Sequence, residues 1–146
     1  MKMMENEGDR ATNRAAVVLL VQGNPDLLAL TKKCLLLQGD LVVETASSTT
    51  EALEKMGKTE PDVIVCDVSI SSEDIFDFLK RLRENGNGIP FISFAYDDER
   101  EIVLKLLDLG ANGVIFKSGD APSVYEGLKR LIVSLTKGSR TGFELL

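Results

Sequence analysis

Histidine and tryptophan are absent from the 146 residues, and there are only two cysteines, four prolines and two tyrosines. Without histidine, and with Cys34 and Cys66 far apart in different segments, the chain lacks the clustered N and S ligands of a zinc site. Cys34 falls in a helical pattern and Cys66 in a strand pattern, so both read as buried, reduced thiols. No apolar run approaches the ~20 residues of a membrane span. The first 14 residues, MKMMENEGDRATNR, are polar and lack an apolar signal core. A cytoplasmic chain with no membrane partner is expected. Positive charge is also short, with 17 Lys and Arg against 23 Asp and Glu, a net −6. That disfavours a general nucleic-acid surface, which needs clustered cations, and no nucleic-acid partner is expected. There is no internal repeat and no low-complexity segment.

What is present is ordinary for a globular protein, with 44% hydrophobic and 27% charged residues. The length fits one domain with a single core. Short, largely β-branched runs occur at 16–21 (AVVLLV), 41–45 (LVVET), 61–67 (PDVIVCD), 90–94 (PFISF) and 113–116 (GVIF). Most are apolar on both faces, the mark of strands buried in a parallel sheet. The polar end of 41–45 suggests a sheet edge.

Helical patterns fill the gaps. Asn24 suits an N-cap and Pro25 the first position of a helix over 25–38, with Leu27, Leu30, Cys34 and Leu37 on its inward side and Gly39 as its stop. Ser48 and Glu51 fit a capping box before a helix ending at Met56. Ser71 or Ser72 can cap a helix over 73–84 that buries Phe76, Leu79 and Leu82. Asp97 or Asp98 can cap a helix over 99–109 carrying Ile102, Val103, Leu106, Leu107 and Leu109. Asp120 caps a last helix carrying Val124, Leu128, Leu131 and Leu135. Residues 1–14 read as a disordered arm, and 137–146 as a C-terminal tail or linker. Strict alternation with short connections predicts an α/β fold: a flavodoxin-like (βα)5 doubly wound three-layer sandwich, with a parallel five-stranded sheet of order 2-1-3-4-5.

Ligands of such sheets bind beyond the carboxyl ends of the strands. Three connections there hold polar residues: Gln22, Gly23 and Asn24 after the first strand, Asp67 after the third, and Lys117 after the fifth. An Asp and a Lys facing each other over a crevice could hold a phosphoryl group or could form only an ion pair, and spacing leaves both open. Ser93 reads as a satisfied core hydroxyl.

The stretch 17–133 resembles the receiver domain of two-component response regulators. The carrying features are VVLLV at 17–21 followed by Pro25 and Asp26, PDVIVCD at 61–67, DIFDFLKRLRE at 74–84, IPFISFAYDD at 89–98 and DLGANGVIFKSGD at 108–120. The resemblance implies a receiver domain over 15–136. It implies that Asp67 accepts a phosphoryl group from a kinase phosphohistidine and that Lys117 contacts that group.

Three further site positions, Gln22, Gly23 and Ala95, depart from the family pattern, and so does the switch position Val114. The pair of acidic residues that holds Mg²⁺, the family cofactor, is replaced by Gln22 and Gly23. The Thr or Ser that ends the fourth strand is Ala95, and the switch aromatic of the fifth strand is Val114. The Pro after the Lys is Ser118, so a trans bond is expected at 117–118. The usual Met-Pro after the phosphoacceptor reads Ile70-Ser71, and the Gly of the third helix is Ile75.

Mg²⁺ wants several oxygen ligands including one or two carboxylates. Gly23 offers no side chain and Gln22 a neutral amide, so no metal is expected to bind well and no other cofactor is expected. Two readings follow: a phosphorylation-independent interaction module with Asp67 at most weakly phosphorylated, and a conventional phosphoaccepting receiver using Asp67 and Lys117. A third, a flavodoxin-like cofactor binder, is disfavoured by the short loop at 22–24 and the lack of a nearby Trp or Tyr to stack on a ring. No enzymatic activity is expected beyond self-phosphorylation and dephosphorylation at Asp67. The partners implied are a sensor histidine kinase or another signalling protein. A homodimer through the fourth helix, fifth strand and fifth helix would use Arg100, Glu101, Lys105, Asp108 and Lys129.

Overall fold

The computed structural model describes residues 15–145. The arm read over 1–14 lies outside the described residues. Five parallel strands form one sheet in the order β2-β1-β3-β4-β5. They are β1 (Ala16–Val21), β2 (Leu41–Ala46), β3 (Val63–Asp67), β4 (Phe91–Ala95) and β5 (Gly113–Phe116). The helices are α1 (Pro25–Leu37), α2 (Thr49–Met56), α3 (Ser72–Glu84), α4 (Arg100–Asp108) and α5 (Ala121–Leu145), with a 3-10 turn at Asp97–Glu99 before α4. The flavodoxin-like order and the edge position of β2 are as read from the sequence. The backbone of α5 continues to Leu145, into the stretch read as a tail or linker.

Side chains of β3 alternate between two apolar layers, as the two-residue period of a strand dictates. Ile64 and Cys66 enter the layer of α2, α3 and α4, with Ala52, Phe78, Leu79, Val103 and Leu106. Val63 and Val65 enter the layer of α1 and α5, with Leu35, Leu128 and Ile132. Every residue of β3 and β4 is buried. Each large apolar side chain so buried contributes roughly 1.5–3 kcal/mol. At the sheet edge a Cβ on Gly113 would lie 2.9 Å from Cδ2 of Leu131. The missing side chain is what lets α5 close onto β5.

Two helix faces differ from their prediction. In α1 the buried positions are Thr31 and Leu35, with Leu28 packed beside them. Leu27, Leu30 and Leu37 are 41%, 55% and 77% exposed, and Cys34 is half-buried. Leucines surround this helix at 27, 28, 30, 35, 36 and 37, so periodicity selects no face and contact with the sheet decides. In α3 the core takes Ile75 and Phe78 along with Leu79 and Leu82. Phe76 lies at the rim under the Lys105 ammonium, 4.5 Å from its ring centroid.

The caps follow the sequence closely. The Asn24 side chain accepts from the N–H groups of Asp26 and Leu27. Ser48 accepts from Glu51 N–H, while Glu51 reaches back to Ser47 rather than to Ser48. Asp120 accepts from Ser123 N–H, which holds its carboxyl below the usual value. Two caps depart: Ser71 makes no side-chain cap bond, and before α4 it is Glu99, accepting from Tyr96 N–H, that closes the turn.

Candidate functional site

The site forms where β3 and β5 end. Because Val63 and Val65 face the α1 and α5 layer, the period of two turns the Asp67 side chain to the same side. Ile115 of β5 faces that layer too, and Lys117 follows two residues later. Between them runs β4, whose Phe94 pairs with Asp67 in the strand register. The Lys117 ammonium crosses the Phe94 ring, 4.9 Å from its centroid, and pairs with Oδ2 of Asp67. It also lies 4.5 Å from the Tyr96 ring centroid. The backbone helps aim it, since Lys117 N–H donates to the Ala95 carbonyl at 2.7 Å.

Asp67 is 2% exposed, and both its oxygens are engaged. Oδ1 accepts from Ser69 N–H at 2.9 Å, while Oδ2 takes the ammonium. A buried charge is tolerable only when paired and hydrogen-bonded, and here both conditions hold. Next to it, burial, with the Asp67 charge adding, pushes the Cys66 thiol well above its ordinary value. That thiol is neutral and inert, as its strand position suggested.

The structure gives Gln22 and Gly23 a definite arrangement after β1. Gln22 is 2% exposed. Its Oε1 accepts from Asn24 N–H at 2.9 Å and from Ser69 Oγ at 3.4 Å. Its buried Nε2 has no hydrogen-bond partner among the described residues. A Cβ on Gly23 would meet Ile70 Cγ1 at 3.6 Å. These residues do not fit Mg²⁺, the ion the family resemblance implies. The one oxygen of Gln22 is already spent on two donors, Gly23 brings none, and Asp67 is committed to Lys117. No cluster of three or more His, Cys, Asp or Glu able to hold a metal occurs among the described residues.

Ala95 and Val114 lie on the other side of the sheet, packed in the layer of α2, α3 and α4. The structure therefore does not bring them to the Asp67–Lys117 pair. It makes them an apolar corner on adjacent strands, with neither a hydroxyl nor an aromatic ring at these two positions. The 117–118 peptide is trans, since no cis bond occurs among the described residues. The Ser93 hydroxyl, read as satisfied, is instead fully buried with no partner among the described residues, a cost of about 1–3 kcal/mol. Lys129, read as part of the α4 to α5 face, bonds the carbonyls of Gln38 and Gly39 at the end of α1.

Sequence reasoning missed Phe94, Tyr96 and Ser69. Phe94 looked like one more core residue and Tyr96 like a loop residue. The available signal was parity: Phe94 shares a face with Asp67 through the strand register, and Tyr96 follows two residues on.

The response regulator receiver domain model matches residues 18–129. The nitrate/nitrite response regulator protein homolog of Haemophilus influenzae is 30% identical over 115 residues, covering 78% of this chain and 55% of that protein. The chain thus spans about half the length of that relative, and 51% of a probable C4-dicarboxylate response regulator of Priestia megaterium, to which it is 26% identical over 120 residues, 82% of this chain. Among solved structures, the chemotaxis response regulator CheY4 of Vibrio cholerae is 26% identical, with a TM-score of 0.68 over 80% of this chain and 98% of that one. Together with the strand order and the placement of Asp67 and Lys117, these likenesses show that the chain belongs to the response regulator receiver domain family.

Proposed function

We propose that this receiver acts as a phosphorylation-independent interaction module of a two-component system, with Asp67 at the phosphoacceptor position at most weakly phosphorylated. The observation that carries this reading is the state of the first-strand positions. Gln22 is buried and neutral, and Gly23 has no side chain. Phosphoryl transfer depends on positioning and on neutralising the charge of the transferred group, and among the described residues only Lys117 is seen to supply positive charge at Asp67. Ala95 and Val114 add no hydroxyl and no rotating aromatic ring, so a phosphoryl group has few differential contacts with which to bias two states.

The intact Asp67–Lys117 pair favours a second reading, a conventional phosphoaccepting receiver. Incubation with acetyl phosphate, with and without Mg²⁺, followed by intact mass measurement separates the two. Unchanged mass is expected. A Mg²⁺-dependent gain of one phosphoryl group, lost in Asp67→Ala, would overturn the first reading.

On either reading the partner is a sensor histidine kinase or another signalling protein, met in the cytoplasm. A homodimer through α4, β5 and α5 is the natural self-contact. Leu104 and Leu107 of α4, 62% and 39% exposed, support that face, and sedimentation at micromolar concentration tests it.

A further inference from the structure

Between α1, the end of β4 and the start of α5 lies a cavity of about 200 Å³. Its apolar walls are Leu27 and Leu30 of α1 and Val124 of α5, and three rings complete it: Phe94, Tyr96 and Tyr125. Asp67 and Lys117 line it too. Thr31 lines it as well, its Oγ1 3.4 Å from the Tyr125 hydroxyl. Leu27, Leu30 and Tyr96 are 41%, 55% and 51% exposed. Three large apolar side chains left in solvent around one opening mark a binding feature.

The size narrows the occupant. The cavity is below the ~300–1,000 Å³ of drug-sized sites and above the ~150 Å³ that holds benzene. One aromatic ring with a small substituent fits. Three rings in the wall suit a flat molecule, which gains from offset or edge contacts. The charged pair in the lining narrows it further. An ammonium carries three N–H donors, and among the described residues Lys117 bonds only Asp67 Oδ2. Its remaining donors can meet an acceptor oxygen. Asp67 beside it supplies negative charge, so that acceptor is better neutral than anionic.

We infer that this cavity is a small-molecule site for a planar, neutral aromatic compound bearing a carbonyl oxygen, the ring lying among Phe94, Tyr96 and Tyr125 and the carbonyl accepting from Lys117. The site goes beyond the reading of Asp67 above and stands whether or not Asp67 accepts phosphate. Since Lys117 serves both the cavity and Asp67, an occupant is coupled to any change at that carboxylate. A receiver deprived of its usual input would then carry a chemical one.

The chain has two tyrosines, and both line the cavity. Ring-labelled tyrosine therefore yields NMR reporters of this site alone. Titration of the full chain with benzamide should move both tyrosine signals saturably, with a Kd on the order of millimolar, as a ligand of this size allows. Benzoate and the non-planar cyclohexanecarboxamide should bind several-fold more weakly. Leu30→Glu and Tyr96→Ala alter exposed side chains, so the fold should survive, and each should weaken benzamide at least tenfold. Unsaturable shifts in the wild type, or benzamide binding unchanged in both variants, would overturn the inference.

Discussion

Lys117 and Asp67, 50 residues apart in the chain, meet across β4 in an ion pair laid over the Phe94 ring. The Asp67 side chain is 3% exposed and that of Lys117 14%, so water does little to soften the loss of either partner. Lys117→Ala leaves a buried carboxylate without its counter-ion and should cost about 3 kcal/mol of stability. Urea unfolding followed by circular dichroism measures it. In the double variant with Asp67→Asn the cost should be smaller than the sum of the two single costs, because no unpaired charge remains.

Positions 22 and 23 carry no carboxylate, and a side chain at 23 has room to start. Among the described residues nothing lies closer than 3.6 Å to a Cβ on Gly23. The double substitution Gln22→Asp with Gly23→Asp should therefore create Mg²⁺ binding, read as saturable amide shifts around Asp67 on titration. The wild type should show none at low millimolar Mg²⁺.

The inward face of α1 gives a direct contrast between neighbouring leucines. Leu35 is fully buried while Leu37 is 77% exposed. Leu35→Ala should cost about 2–5 kcal/mol, and Leu37→Ala should stay within about 0.5 kcal/mol of wild type. A larger cost at Leu37 than at Leu35 in urea unfolding would mean that the helix packs on the face read from the sequence.

Alkaline pH should expose the Cys66 thiol. Burial raises it above its ordinary 9.0, so the unfolded chain loses this proton first while the folded chain keeps it. The unfolded state then binds fewer protons, and stability falls as pH rises through 9, by up to about 1.4 kcal/mol per unit. Tyr125, also raised by burial from 10.0, adds to the loss at higher pH. Thermal melts between pH 8 and 11 should show the decline, and Cys66→Val should make its first part shallower.

The order of elements was legible because each strand is a short apolar run and three of the helices carry their own start signals, Asn24, Ser48 and Asp120. These are local matters of backbone conformation and hydrogen bonding. The two-residue period of β3 and the alternation of strands and helices further imply that Asp67 and Lys117 stand at the same end of one sheet. What the sequence by itself determined is thus the fold, the end of the sheet that carries the site, and the absence of carboxylates at positions 22 and 23. Tertiary structure alone decided which side of α1 faces inward, because leucines all round the helix give periodicity nothing to choose between. It also decided that Gln22 spends its oxygen on Asn24 and Ser69, that Lys129 turns to the end of α1, and that Phe94, Tyr96 and Tyr125 wall one cavity beside Lys117. Those contacts join residues from different elements, and their geometry is set by how helices settle on a twisted sheet rather than by any pattern along the chain.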